Sequence, residues 1–265
     1  MILIIAHHHD AEAQWLCQIL KEDYDMPVYL LMPEALGVDY SISLQLQNNG
    51  LHHATIFFNE PQLRLECNEV WYAINRLSYI NPIVWQHANA DEKAYATNEI
   101  NSFFPAFIHS LKCPVSNKIY HGALYGDSSF AAQWAAHLYQ HGLSVNPLAT
   151  ERTGKQFEKL NAIPVEQTWR FIYANNEIIL PLIQDPIKNY AGLRESILSK
   201  GGDEMLEFIF LKGEDNRPEL LQVSKTPSLS YYGKTFAEAL LQQLKQINHD
   251  YTNGHTQRNT LTLAC

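Results

Sequence analysis

Three consecutive histidines and an aspartate follow the first apolar segment of the chain. Ile2–Ala6 is a continuous apolar run, as expected of a buried parallel strand, and His7, His8, His9 and Asp10 come directly after it. Open α/β sheets bind ligands at the carboxyl ends of their strands. Imidazole and carboxylate groups are ligands of zinc, iron and copper, so His7, His9 and Asp10 are candidate metal ligands. The alternative is a polar strand-to-helix turn whose histidines form local hydrogen bonds, because adjacent loop residues rarely all face one ion.

The segments that position this turn alternate between strand and helix patterns. Asp10 is placed to cap a helix whose apolar face begins at Ala13. The predicted strands are Val28–Met32, Ala54–Phe58, Gln62–Glu66 and Glu69–Tyr72, and the predicted helices are Asp91–Leu111 and Asp127–Gly142. This alternation indicates an α/β fold built on an open sheet.

A second group of candidate residues lies in a hairpin near the carboxyl end. Leu206–Leu211 is an apolar run, a polar turn cluster follows at residues 213–216, and Leu220–Val223 is the returning strand. Apolar residues then recur at helical spacing and predict a helix. They are Phe236, Ala237, Leu240, Leu241 and Leu244.

Three stretches of the chain resemble motifs of ATP-grasp ligases that modify ribosomally made peptides. Leu221–Pro227, LQVSKTP, is similar to the family's L-E-[IV]-N-x-x-P signature. Val70–Arg76, VWYAINR, is similar to its V-W-Y-R-R-x-R strand, and Trp169–Ile179 to its arginine-containing hairpin. The resemblance covers most of the chain and depends on the order of the motifs.

The resemblance implies a fold of three parts. Residues 1–115 are expected to form a parallel-sheet α/β domain like the one that precedes the ATP-grasp core. Residues 116–247 are expected to form a reduced α+β ATP-grasp domain. The resemblance implies that the family's lid subdomain is deleted, since only Leu148–Gln167 separate the flanking motifs. The polar segment 248–265 has no clear period and is expected to be flexible or ordered by a partner.

The resemblance also marks residues of a nucleotide and substrate cleft. Arg170 matches the hairpin arginine of the family, and Arg76 matches the last arginine of the aromatic strand motif. Glu207 lies near the family's first metal-binding aspartate. These three residues are therefore candidates for contact with a nucleotide or a substrate.

Other positions of the family's site are replaced. The glutamate and asparagine that hold magnesium in the family correspond to Gln222 and Ser224, with Lys225 beside them. Ser128 and Ser129 stand where the family has a phosphate-binding lysine. Gln222, Ser224 and Lys225 are further candidates for contact with a nucleotide or a substrate, and residual binding of ATP and Mg²⁺ stays open.

The resemblance and the replacements together predict a protein that has lost ligase activity. It would act as a binding or accessory subunit, a pseudoenzyme, for a peptide substrate or a partner enzyme in RiPP biosynthesis. One alternative is an ATP-dependent carboxylate–amine ligase with a rebuilt site that uses Arg170, Glu207 and Lys225. Another is a metal-dependent enzyme that uses the turn from His7 to Asp10.

Composition restricts the partners further. The 265 residues carry a formal net charge of −9, which gives no electrostatic support for binding nucleic acid or anionic membranes. No apolar run approaches the roughly 20 residues of a membrane span. The first residues lack the basic segment of a signal peptide, and the four cysteines are scattered. We therefore expect a cytoplasmic protein with reduced thiols, either monomeric or a homodimer.

Overall fold

The computed structural model describes residues 1–46, 52–60, 62–77, 80, 87–119, 130–146, 163–174, 177–179, 191–200, 205–212 and 217–262. The chain forms two compact units, one of Met1–Gly126 with Leu240–Cys265 and one of Asp127–Ala239. These units are defined by contacts within the fold, whereas the predicted domain boundaries come from the family resemblance, so the units do not test those boundaries. The division into 1–115, 116–247 and 248–265 therefore stays a prediction.

Strands and helices alternate along the described residues. In chain order they are β1 (Ile2–Ile5), α1 (Ala11–Glu22), β2 (Val28–Leu31), β3 (Tyr40–Leu46), β4 (His52–Phe58), β5 (Leu63–Glu66), β6 (Tyr72–Asn75), α2 (Ala90–Ser110), β7 (Val115–Ser116), α3 (Phe130–Gln140), β8 (Ser144–Val145), β9 (Thr168–Ala174), β10 (Glu177–Ile179), α4 (Ala191–Lys200), β11 (Leu206–Lys212), β12 (Pro218–Ser224) and α5 (Leu229–Thr262). Single turns of 3₁₀-helix lie at Pro33–Ala35, Cys67–Glu69 and Val165–Gln167. The predicted α/β class is confirmed.

A four-stranded parallel sheet forms the first unit's centre, in the order β2-β1-β6-β7. β1 is an inner strand, and each of its residues is fully buried. This explains its continuous apolar sequence, because an inner parallel strand is covered on both faces. The carboxyl ends of β1, β2 and β6 lie at one edge of the sheet, where the predicted metal turn begins.

A separate antiparallel sheet in the same unit has the order β3-β4-β5. The predicted strands Ala54–Phe58 and Gln62–Glu66 belong to this sheet and not to the parallel one. The expected strand at Glu69–Tyr72 is wrong in its boundaries, because Cys67–Glu69 forms a 3₁₀ turn and β6 begins only at Tyr72. Reciprocal hydrogen bonds of Glu66 and Glu69 stabilise that turn.

A five-stranded sheet in the order β10-β9-β11-β12-β8 forms the second unit's framework. β9, β10, β11 and β12 are antiparallel neighbours, and β8 lies parallel to β12. One face of the sheet is aromatic: Phe171 stacks with Phe208 and Phe210 at centroid distances of 5.2 and 5.7 Å. Trp134 of α3 packs edge-on against Phe208 at 5.0 Å. This packing leaves the polar residues of the same strands on the opposite face.

The helix α5 follows the hairpin as predicted and extends further than predicted. All five apolar residues that predicted it are buried. Its path is kinked at Gly233, where φ is 57°. The helix continues to Thr262 through the segment for which the polar sequence predicted no regular structure, because extending an established helix is far easier than starting one. Among the described residues, none of the helices is both long enough and apolar enough to cross a membrane.

Candidate functional site

Asp10 and Arg76 form a buried ion pair in the first unit. Nε and Nη2 of Arg76 donate to Oδ2 and Oδ1 of Asp10 at 2.8 and 3.2 Å. Asp10 follows β1 and Arg76 follows β6, and the two strands are parallel neighbours. Oδ1 of Asp10 also accepts a hydrogen bond from the backbone N–H of Ala13 at 3.0 Å, which caps α1. The carboxylate predicted as a metal ligand thus contacts a predicted cleft arginine.

His7 and His9, the other two predicted metal ligands, lie beside Glu34. Nδ1 of His7 is 2.6 Å from Oε1 of Glu34. The ring of His9 stacks on that of His7, with centroids 5.1 Å apart and planes inclined by 13°. Ligand atoms from His7, His9 and Glu34 all lie within 4.8 Å of one another. The structure therefore groups these three residues as a possible metal-ligand set.

The environment of Glu34 favours its charged form. Its side chain is only 9% exposed, and burial by itself acts to raise the pKa of a carboxyl group. The hydrogen bond from His7 and the nearby imidazole of His8 outweigh that effect, so the pKa of Glu34 lies below its ordinary value. Glu34 thus presents an ionised oxygen to this cluster at neutral pH.

Sequence reasoning missed Glu34 because its relation to His7 is long-range. β1 and β2 are paired in parallel, with Ile5 opposite Leu31. His7 follows the end of β1, and Glu34 follows the end of β2. The Pro-Glu pair directly after a predicted strand was a usable signal, since the carboxyl ends of neighbouring parallel strands meet at one edge.

Four of the predicted cleft residues lie on one face of the sheet in the second unit. Arg170 is opposite Ile209, which is opposite Gln222, and Glu207 is opposite Ser224. Alternate residues of a strand share a face, so the side chains of Arg170, Glu207, Gln222 and Ser224 lie together, opposite the aromatic core. The hairpin predicted from the sequence thus brings these residues together.

Glu207 is buried on this face, and other residues of the chain donate hydrogen bonds to its carboxyl group. It is 2% exposed. Its Oε2 accepts a hydrogen bond from the backbone N–H of Ser228 at 3.1 Å, and its Oε1 accepts one from the hydroxyl of Tyr232 at 3.2 Å. Burial raises the pKa of Glu207, and the hydrogen bond from Ser228 and the charge of Arg170 only partly oppose it. Both carboxylate oxygens are therefore already engaged.

Arg170 lies closer to solvent on the same face. Its guanidinium carbon is 5.4 Å from the centroid of the Tyr231 ring, a cation–π arrangement. Its Nε donates to Oγ1 of Thr168 at 3.4 Å. Tyr231 is 38% exposed, so this pair presents an aromatic and cationic surface to solvent.

Lys225 lies on the other side of the hairpin end. Its Nζ is 4.3 Å from the centroid of the Phe130 ring, and Phe130 belongs to the core of the unit. Lys225 is only 3% exposed. The structure thus places this predicted cleft residue against the core, apart from the face that carries Glu207.

Two predicted features lie outside the described residues. Ser128 and Ser129, at the positions of the family's phosphate lysine, are among them. So is most of Leu148–Gln167, the stretch that replaces the lid in the sequence comparison. The predicted loss of the lid and of this lysine therefore stays a prediction.

Comparison by sequence finds neither a matching protein-family model nor a matching curated protein. Comparison of folds does find solved structures. The macrocyclase MdnC from Microcystis aeruginosa MRC, crystallised with the precursor peptide MdnA, aligns with a TM-score of 0.66 and 14% identity over 91% of this chain and 98% of its own. A RiPP-associated ATP-grasp ligase from Chryseobacterium gregarium, in complex with ADP and a leader and core peptide, gives 0.59 and 12% over 91% and 96%. The ATP-grasp ligase PsnB, complexed with a minimal precursor, gives 0.57 and 14% over 92% and 98%. This chain has an ATP-grasp-like fold.

The fold comparison confirms the resemblance that the order of the motifs indicated. The sequence identities between this chain and these structures are only 12 and 14%. This agrees with motifs that keep their order and spacing but differ in individual residues. β11 and β12 are paired antiparallel, as expected of the hairpin that contains the L-E-[IV]-N-x-x-P motif. Gln222 and Ser224 accordingly occupy the returning strand of that hairpin.

Proposed function

We propose that this ATP-grasp-like protein has lost ATP-dependent ligation and acts as a binding or accessory subunit in peptide modification. One observation carries the proposal. The carboxylate of Glu207, the acid nearest the family's metal-binding aspartate, is held by Ser228 and Tyr232 of its own chain. Mg²⁺ needs ionised oxygens that it can share with phosphates and water. A buried carboxyl group with a raised pKa and both oxygens bonded is a poor ligand for it.

The two neighbouring positions add no negative charge. Gln222 and Ser224 are neutral, and they share the face that carries Glu207. Phosphoryl transfer depends on positioning and on neutralisation of charge by metal ions and cations. In the described part of this face, one protected acid and two neutral groups lack the charge that would hold magnesium on a triphosphate.

Lys225 does not compensate for this loss. A lysine that binds phosphate must extend its ammonium group toward the nucleotide, whereas Nζ of Lys225 lies over the ring of Phe130. Its burial against the core supports a structural role. The rebuilt-ligase alternative requires Lys225 to leave this position.

A peptide is the partner that we propose. The fold neighbours MdnC, PsnB and the Chryseobacterium gregarium ligase were each solved with a precursor peptide or its segments. In this chain, the exposed ring of Tyr231 with the guanidinium of Arg170 offers an aromatic and cationic contact for a peptide carboxylate. We place this subunit in the cytoplasm, together with a partner enzyme that supplies the chemistry.

Calorimetric titration of the full chain with Mg-ATP tests the loss of ligation. We expect no saturable binding and no release of ADP, with or without peptide. The rebuilt ligase instead predicts turnover that Glu207→Gln and Lys225→Ala abolish. Tight Mg-ATP binding, or ADP release that requires Glu207, would overturn the proposal.

A peptide encoded by a short reading frame next to the gene is the probe for the second half of the proposal. We expect the full chain to bind this peptide, and Arg170→Ala to weaken binding at least about tenfold, as for loss of a charge-assisted contact. Arg194 is an exposed arginine of α4, so Arg194→Ala is a matched control that should bind normally. Equal loss in both variants would indicate only a general effect of charge. Light scattering on the same samples distinguishes a monomer from a homodimer.

A further inference from the structure

We infer that His7, His9 and Glu34 form a binding site for a divalent transition-metal ion, and that Zn²⁺ is the ion it takes. The inference concerns the first unit and does not depend on the loss of ligase chemistry. In the ligand set expected from the sequence, Glu34 takes the place of Asp10. The argument comes from the position of the ligands, the burial of Glu34 and the chemistry of the donor set.

The fold brings the ligands together on two supported turns. β1 and β2 pair in parallel, so the residues that follow them meet at one edge of the sheet. The turn after β1 is closed by a hydrogen bond from the backbone N–H of Asp10 to the carbonyl of His7 at 3.0 Å. Asp10 is itself held by Arg76 and by its cap on α1. Held by these contacts, the turn after β1 needs little reorganisation to bind an ion.

Glu34 supplies a separate observation that points to a cation. Its side chain is nine-tenths buried, and its Oε1 is the atom close to His7. Its Oε2 is also buried, and no hydrogen-bond donor reaches it from the described part of the chain. Leaving a carboxyl oxygen buried without a donor is costly, and a bound cation would satisfy it.

The donor set selects the class of ion. Two imidazole nitrogens and one carboxylate oxygen form a ligand set that zinc uses in sites with one open position, which a water molecule fills. Such nitrogen ligands favour the later first-row metals over magnesium and calcium. The same donor set also binds Fe²⁺ in octahedral sites, which need three further positions. Here His7 is buried, the side chain of Glu34 is 9% exposed and His9 is exposed, so additional ligands approach from the side of His9.

The separations are compatible with closure around an ion. The ligand atoms lie within 4.8 Å of one another, and Zn–N and Zn–O bonds are about 2.0 to 2.2 Å long. His9 is exposed and its ring stacks on that of His7, so we expect His9 to make the adjustment that closes the group around an ion. His8, by contrast, has half of its side chain exposed, and its Nδ1 is 3.5 Å from Oε1 of Glu34. It lies outside the ligand group and serves as a matched control.

Titration of the chelator-treated full chain with Zn²⁺ tests the inference, with calorimetry for stoichiometry and thermal unfolding as a second measurement. We expect one zinc per chain and a melting temperature that rises with zinc, because the ion binds the folded site. Glu34→Gln and His9→Ala should each weaken binding at least about tenfold, and His8→Ala, which removes only a neighbour of Glu34, should weaken it less than either. Because His9 is exposed, His9→Ala should fold even if Glu34→Gln does not.

Three results of the zinc titrations would overturn the inference. The first is the absence of stoichiometric zinc in the unmodified chain. The second is zinc binding that persists in Glu34→Gln but is lost in the histidine variants, which would indicate only adventitious binding to a run of histidines. The third is loss of zinc in His8→Ala with retention in His9→Ala.

Titration with Co²⁺ adds a check on geometry. A four-coordinate and a six-coordinate cobalt site absorb visible light with different strengths. A six-coordinate spectrum would overturn the assignment to zinc.

Discussion

The hydroxyl of Tyr232 donates a hydrogen bond to Oε1 of Glu207 across 3.2 Å, and both side chains are buried. This contact joins the start of α5 to the inner strand β11 of the five-stranded sheet. It occupies the one acid that the family resemblance placed at the metal site. The same contact that argues against magnesium binding should therefore be measurable as a contribution to stability.

We expect Glu207 to make stability depend on pH. Burial raises the pKa of Glu207 in the folded state, while the unfolded chain loses this proton near the ordinary value. Between the two values the folded state binds more protons, so the free energy of unfolding falls as pH rises and levels off above the folded pKa. Glu207→Gln resembles the protonated form and should flatten this dependence from about pH 4 upward. Urea unfolding at several pH values measures it.

A matched control separates this effect from the general charge of the protein. Glu195 is an exposed acid of α4, so Glu195→Gln should leave the pH profile parallel to that of the unmodified chain. Tyr232→Phe should shift the profile in the opposite direction to Glu207→Gln, since it removes a donor that favours the charged carboxylate. A pH profile that is the same in Glu207→Gln and in the unmodified chain would contradict the burial of an ionisable acid here.

The ion pair between Asp10 and Arg76 should contribute strongly to the stability of the first unit. The Arg76 side chain is only 3% exposed, so removing Asp10 takes an anionic partner away from a buried guanidinium group. Asp10→Ala removes both the ion pair and the cap on α1, and we expect a loss of about 3 to 5 kcal/mol in the free energy of unfolding. Asp10→Asn keeps a capping oxygen and should lose about 1 kcal/mol less.

Urea unfolding of the two Asp10 variants, side by side, distinguishes the pair from the cap. Asp91 lies in the exposed first turn of α2, so Asp91→Asn controls for the loss of a carboxylate near a helix start. We expect that control to stay within about 0.5 kcal/mol of the unmodified chain. If Asp10→Ala is equally mild, Arg76 is not held as the structure places it.

Local sequence patterns predict those strands and helices whose structure depends mainly on their own residues. The apolar run at Ile2–Ala6 predicted the inner strand β1, and the apolar runs around the polar turn at 213–216 predicted the hairpin β11–β12. β3 was missed, although Tyr40, Ile42, Leu44 and Leu46 alternate with polar residues as a strand with one buried face requires. This alternation of apolar and polar residues is a local pattern that by itself favours a strand.

Contacts between distant segments could not be predicted in the same way. Glu34 joins His7 only because β2 pairs beside β1 in parallel, and no local pattern specifies which strands are neighbours. Arg76 meets Asp10 only because β1 pairs with β6, and no local pattern specifies that contact. Motif order predicted the fold, whereas the role of each polar side chain depended on which strand ends meet.

The kink of α5 at Gly233 should depend on the absence of a side chain there. Gly233 has φ of 57° and ψ of −144°, a backbone conformation that residues with a Cβ rarely adopt. A Cβ built at this position meets no atom within 4 Å, so crowding adds nothing to the cost. Gly233→Ala should therefore lower the free energy of unfolding by about 1 to 3 kcal/mol through backbone strain alone. Denaturant unfolding measures this loss.

Gly192 in α4 is the control for that substitution. A Cβ there also meets open space, and its φ is outside the left-handed region. Gly192→Ala should leave stability unchanged or raise it by up to about 1 kcal/mol, because alanine favours the helix. The two variants add the same methyl group in equally open surroundings, so opposite signs would isolate the backbone as the cause. Equal effects would mean that the helix can straighten through Gly233 without loss, and that the kink is not needed to bring Tyr232 to Glu207.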